Sequence, residues 1–157
     1  MKKLIVMCML LAVVLSGVGC GAKETSVPYS VDCVQALVDG GVFSEELETL
    51  EGDIPFALYV LADYGLTLKD LKECAAVRSA GGTCEEAAVL VFTDESKAAA
   101  AMEAMESYLT AQIESNRNYR PNEIPKLEGA CLEQRGESVL FVVPGDPGAM
   151  EAVLAKY

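Results

Sequence analysis

The 157-residue sequence contains no histidine and no tryptophan. Without histidine the chain lacks the side chain most used as a general base near neutral pH and the commonest transition-metal ligand. Ser-His-Asp and Cys-His mechanisms are excluded, and so are zinc sites that need an imidazole. There is no C-x-x-C pair, no glycine-rich phosphate loop, no Asp/Asn spacing of a calcium loop, no internal repeat and no low-complexity tract. No catalytic residue, cofactor or metal is implied.

Basic residues are also scarce, with 12 Lys and Arg against 24 Asp and Glu. Residues 1–19 hold two of the basic residues and none of the acidic ones, so 10 basic and 24 acidic residues remain beyond them, a formal charge of −14. An acidic surface repels phosphate backbones and anionic headgroups, which argues against nucleic acid and against a basic patch on a membrane. Dispersed Asp and Glu of this kind keep a domain soluble.

What is present begins at the first residue. Lys2 and Lys3, the apolar run Leu4–Leu15 and the small residues Ser16-Gly17-Val18-Gly19 form the three parts of an export signal. A spanning helix needs ~20 apolar residues, and Gly17, Gly19 and Gly21 interrupt this run. Cys20 follows the small residues directly, and L-S-G-V-G-C resembles the bacterial lipobox, although Leu15 lies two places further from the cysteine than the strictest form has it. Residues 1–19 are therefore expected to be a lipoprotein signal peptide and Cys20 to be lipidated. Two or three acyl chains, at ~0.8 kcal/mol per buried methylene, anchor a protein stably. Residues 20–28 read as the lipidated cysteine and its tether, reaching at most ~28 Å, and residues 29–157 as one domain of a size that buries a substantial core. The expected location is extracytoplasmic, on the outer face of the cytoplasmic membrane.

Cys33, Cys74, Cys84 and Cys131 remain after Cys8 and Cys20 are set aside. A Cys74–Cys84 disulfide is conceivable if the two flank a hairpin in an oxidising compartment, but buried free thiols are favoured.

Periodicity and capping predict a helix over Tyr29–Asp39 with Ser30 as N-cap, a short acidic helix from Ser44 to Glu51, a buried helix over Ile54–Tyr64 closed by Gly65, and a helix over Leu68–Glu73 opened by Thr67 and Asp70. Glu45, Glu46, Glu48 and Glu51 read as a solvated face rather than a cation site. Cys74–Ser79 and Ala87–Thr93 read as a hairpin around Ala80-Gly81-Gly82. Asp94–Asn116 is the strongest periodic stretch, with an inward stripe of Ala98, Ala101, Met102, Met105, Tyr108, Leu109, Gln112 and Ile113. A loop over Asn118–Pro125 leads to a second hairpin, Leu127–Gln134 and Ser138–Val143, the latter apolar enough to be buried on both faces. A last helix over Gly148–Lys156 starts from Asp146 and Pro147. The expected fold is α+β: N-terminal helices, then a four-stranded, largely antiparallel sheet in the order strand-strand-helix-strand-strand-helix, with one long covering helix.

Several strings in this order resemble an uncharacterised family of bacterial lipoproteins, mostly from Gram-positive anaerobes, known as domain of unknown function 4358. They are Cys20, Tyr64-Gly65-Leu66, Arg78-Ser79-Ala80-Gly81-Gly82-Thr83-Cys84-Glu85-Glu86, and Tyr119-Arg120-Pro121-Asn122-Glu123 with Pro125 and Leu127. The resemblance implies no activity and no site residue.

The readings that follow are a non-enzymatic interaction domain at the cell envelope, touching the bilayer through acylated Cys20 and an unknown envelope protein or cell-wall component; and, as the alternative, a small-ligand or cation-binding lipoprotein serving a transporter. An enzyme ranks last. Glu85 and Glu86 are adjacent, and neighbours on a strand point to opposite faces, whereas paired catalytic carboxylates must converge.

Overall fold

The computed structural model describes residues 27–157; the expected signal peptide and Cys20 lie outside them. The described chain is fastened at its start. Tyr29 is buried, its N–H donates to Ser138 Oγ at 2.7 Å, its hydroxyl donates to Glu133 at 2.7 Å, and Arg135 lies 4.1 Å above its ring.

Helix α1 (Asp32–Asp39) turns Cys33, Val34 and Leu37 inward and closes at Gly40. Its N-cap position is Val31 rather than the expected Ser30, but the Ser30 hydroxyl still accepts from the Asp32 N–H at 3.4 Å and the Ser30 carbonyl from the Cys33 N–H at 3.0 Å. The segment expected as an acidic helix, Ser44–Glu51, is instead extended and supplies strand β1 (Leu47–Thr49). The reason is long-range: the Ala80 N–H donates to the Glu46 carbonyl, and the Glu45 carboxylate is drawn to Ser79 and Thr83. Those partners outweigh the few tenths of a kcal/mol that local helical pairs offer.

The expected helix over Ile54–Tyr64 is broken. Helix α2 (Ile54–Leu58) stops before Val60, which adopts the left-handed conformation at φ 52°, and a 3-10 turn spans Leu61–Tyr64 up to Gly65. Tyr59 and Leu61 are both fully buried. On one continuous helix they would point about 200° apart, so the kink is what lets both enter the core.

The expected helix over Leu68–Glu73 shrinks to a 3-10 turn, Leu68–Asp70, before β2 (Leu71–Ser79) begins. The start signal still operates, because the Asp70 carboxylate accepts from both Thr67 N–H and Thr67 Oγ1 at 2.8 Å. Strand β3 (Glu86–Phe92) and helix α3 (Glu95–Tyr119) follow as expected, with the Asp94 carboxylate accepting from Lys97 N–H at 3.0 Å. Instead of a loop over 118–125, α3 runs on to Tyr119, a 3-10 turn covers Pro121–Glu123, and α4 (Ile124–Glu128) follows. Each proline sits in a first turn, where a missing N–H is harmless. Strand β4 therefore starts at Cys131 and runs to Arg135, not from Leu127. Strand β5 (Ser138–Val143) and helix α5 (Pro147–Leu154) complete the chain, the latter capped by Asp146 as expected.

The sheet is antiparallel and has five strands, in the order β1-β2-β3-β5-β4, rather than the expected four; the extra strand is β1 at one edge. The two hairpins join along β3 and β5, from Glu86 opposite Val143 to Val91 opposite Ser138. Helix α3 covers one face, packing Ala98, Ala101, Met105 and Tyr108 toward Ala88, Leu90, Phe92 and Phe141. Helices α1 and α5 cover part of the other, over Ala87, Val89, Leu140 and Val142. Strand β5 is buried along its whole length, as its unbroken apolar run required. At the core centre, Tyr59, Tyr108 and Phe141 meet edge to face, with ring centroids 5.1–6.1 Å apart.

Candidate functional site

The turn between β2 and β3, Ser79–Glu85, has apolar side chains only at Ala80 and Cys84 and two glycines, and it is closed by the Ser79 N–H donating to the Glu85 carbonyl at 2.8 Å. Carboxylates and basic groups from distant segments hold it. Glu45 accepts from Ser79 Oγ, from Thr83 Oγ1 at 2.7 Å and from Thr83 N–H at 3.1 Å. Glu123 accepts from the Cys84 N–H at 2.8 Å, and Arg120 donates to the Gly82 carbonyl at 2.8 Å while its Nε is held by Asn116. Two of the strings that carry the family resemblance, Arg78–Glu86 and Tyr119–Glu123, therefore fold against each other.

Glu85 lies at the centre of this clamp, with Lys126 Nζ 2.7 Å from its Oε1 and Ser44 donating through both N–H and Oγ. Burial alone would raise its pKa; the Lys126 and Ser44 hydrogen bonds overcome that and hold it below the usual carboxylate range. Gly145 completes the enclosure. A Cβ there would come within 2.7 Å of Glu85 Oε1 and 3.0 Å of Ser44 N. Glu45 is likewise lowered, by its Ser79 and Thr83 hydrogen bonds.

Glu86 turns the other way, as neighbours on a strand must. Its side chain is buried under α3 with one hydrogen bond, from Tyr108 Oη at 3.3 Å. Burial pushes its pKa up to about 7, against the opposing pull of the Tyr108 hydrogen bond and the Arg78 charge. A perturbed carboxyl in a cleft is a recognised sign of chemistry. Here the cleft between Glu86, Arg78, Cys84, Gln112 and Arg120 has a volume of ≈ 10 Å³, room for about one water molecule and for no substrate group. Burial also raises the pKa of the neighbouring Cys84 thiol, which opposes the nucleophilic thiolate form. Tyr59 Oη, deep in the same region, has no hydrogen-bond partner among the described residues.

The register separates Cys74 and Cys84, for which the sequence makes a disulfide conceivable but favours free thiols. Cys74 lies opposite Leu90, while Cys84 precedes Glu86, which is opposite Arg78, at the far end of the hairpin. Four ladder steps from Cys74 to Arg78 alone span about 13 Å, beyond disulfide reach. Cys33, Cys74, Cys84 and Cys131 are all free thiols, and burial raises Cys33 and Cys74 to about 11.

The roomier concave surface lies on the opposite face, where α1 leaves β1 and β2 partly uncovered. Two depressions of ≈ 590 and ≈ 350 Å³ share Gln35, Thr49 and Val77 and so form one groove. Val34, Ala75 and Val77 line it, and Asp32, Glu46 and Glu51 stand at its exposed rim. Among the described residues no three His, Cys, Asp or Glu side chains gather as a metal ion would need, and no helix is long and apolar enough to cross a membrane. The acidic run Glu45–Glu51 is thus divided between the clamp and this rim. Sequence reading missed both, because the residues that meet are about 40 positions apart.

Residues 60–144, over half of the chain, match the family described as Domain of unknown function (DUF4358). The chain belongs to that family. The matched span runs from the kink at Val60 through β5, so the DUF4358 region holds β2, β3, α3, β4 and β5, the four strands expected from sequence. Helix α1, β1 and α5 lie outside it, and the groove is built where α1 and β1 meet the family's β2. No curated protein and no solved structure shows detectable similarity.

Proposed function

We propose that this DUF4358 protein is a lipoprotein of the outer face of the cytoplasmic membrane, held by acylated Cys20, whose domain binds another envelope component and catalyses no reaction. The N-terminal pattern ending at Cys20 supports the anchor, and the acidic charge of the remainder leaves the acyl chains as the means of attachment. The observation that carries the binding role is the groove between α1 and the β1–β2 edge, an open surface large enough for a polypeptide and rimmed by the exposed carboxylates of Asp32, Glu46 and Glu51. Two measurements test the reading. Replacing Cys20 with Ala moves the protein from the membrane to the soluble fraction; continued partitioning into detergent would refute the anchor. Crosslinking on intact cells returns a reproducible envelope partner, and repeated failure to find one counts against the binding role.

A volume of ≈ 590 Å³ also falls in the range of small-ligand pockets, which keeps a transporter-associated ligand- or cation-binding role as the second reading. Thermal-shift screening with Ca²⁺, Mg²⁺ and metabolite panels separates the two, since a specific ligand raises the melting temperature by mass action.

A further inference from the structure

We infer that the groove between α1 and the β1–β2 edge receives an extended apolar segment of a partner polypeptide flanked by Lys or Arg. This deepens the proposed binding role and rests on it. The groove floor is apolar, through Val34, Ala75 and Val77. Its charged lining is of one sign: Asp32, Glu45, Glu46 and Glu51 border it, and among the described residues no Lys or Arg does. An apolar occupant with basic flanks matches both features, and the acidic rim steers such a partner toward the site.

The backbone adds a second element of recognition. Strand β1 pairs with β2 only from Ser79 to Val77, followed by a single bond from Leu50 N–H to the Ala76 carbonyl at 2.9 Å. Among the described residues no further strand lies on that side. By the alternation of an antiparallel ladder, the N–H and carbonyl of Cys74 then point outward at the groove wall. An extended segment can bond to such an edge, with its side chains entering the apolar floor. From Val31 to Val38 the helix wall is about 10 Å long, the length of three to four extended residues. A second copy of the chain is a poor occupant, since each carries a formal charge of −14 beyond residue 19.

The test places a photo-crosslinking amino acid at Gln35, exposed in the groove, or at Glu151, exposed on α5 away from it, in the full lipidated chain on its native membrane. Adducts are sequenced by mass spectrometry. The expected result is that Gln35 captures apolar segments with Lys or Arg within a few residues, and that the Asp32→Lys/Glu46→Lys/Glu51→Lys variant loses these adducts about tenfold at unchanged melting temperature. If that variant melts lower, Thr49→Arg, an exposed single change in the groove wall, supplies the same readout. Adducts that persist in the charge-reversed chain, map to acidic segments, or lie in residues 20–26 or a second copy overturn the inference. Capture from Glu151 with none from Gln35 overturns the groove while the binding role stands; capture from neither position overturns both.

Discussion

Lys126 Nζ lies 2.7 Å from Glu85 Oε1 across 41 positions of sequence, and the Glu85 side chain has no exposed surface. This contact couples α4 to the β2–β3 turn. Removing one member of a buried pair leaves an uncompensated charge, which costs far more than a surface pair contributes. Lys126→Met is therefore expected to destabilise the protein by about 3 kcal/mol, read as a fall in the urea midpoint, and Glu85→Gln/Lys126→Met to recover a large part of it. A loss under about 1 kcal/mol in the single variant, the size of an exposed pair, would show that the turn does not depend on this contact.

Glu86 gives the protein an opposite dependence on pH from that of a paired carboxylate. Its folded-state pKa is raised from 4.5 to about 7 by burial, with Tyr108, Arg78 and the nearby Tyr59 hydroxyl as its polar surroundings. The folded state holds this proton more tightly than the unfolded state, so its contribution is complete below pH 4.5 and is lost as pH rises to 7. The loss amounts to about 3 kcal/mol. Glu86→Gln is expected to flatten this part of the stability profile and to exceed wild type above pH 7. Parallel profiles for the two proteins between pH 5 and 8 would contradict the assignment.

Tyr59 combines a well-packed ring with a buried hydroxyl that has no partner among the described residues. An unsatisfied buried donor costs about 1–3 kcal/mol. Tyr59→Phe should therefore keep or raise the melting temperature, whereas Tyr59→Ala empties the centre of the core at a cost of about 3–5 kcal/mol. A clear loss of stability in the Phe variant would show that the hydroxyl is bonded.

Val60 pays a conformational cost that its packing does not explain, since it is 45% exposed at φ 52°. A left-handed β-branched residue costs about 1–2 kcal/mol, and glycine adopts that region freely. Val60→Gly is expected to stabilise the protein by up to about 1 kcal/mol, the flexibility of glycine in the unfolded chain offsetting part of the gain. Thermal melts decide; destabilisation would mean that the Val60 side chain makes contacts worth more than the strain.

The parts of this fold that are legible in sequence are those set by neighbours along the chain. Asp94 and Asp146 act as N-caps, Gly65 closes its turn, Ser138–Val143 is a buried strand, and the α3 stripe from Ala98 to Tyr108 faces the sheet. What escapes is set by distant partners. Ser44–Glu51 has the composition of an acidic helix and becomes an edge strand because β2 and the Ser79–Thr83 turn hold it. Val60 has no local reason to be left-handed; Tyr59 and Leu61 impose the break from inside the core. The clamp was present in sequence as two short polar strings, Arg78–Glu86 and Tyr119–Glu123, but nothing in either says that Arg120 meets Gly82 or that Glu123 meets Cys84. The groove is still further from view, because it consists of what α1 leaves uncovered.

The pairing of β3 with β5 bears on the order in which the fold assembles. Each hairpin closes over a short turn, but the seam from Glu86–Val143 to Val91–Ser138 joins strands separated by the whole of α3, α4 and β4. Closing a loop of that length is entropically slow and must precede the contacts that reward it. Formation of the seam is then expected to be rate-limiting, and until residues 138–143 arrive, the apolar edge of β3 stays unpaired. A nascent chain stays loosely folded along this edge until residues 138–143 have been made and can pair with it.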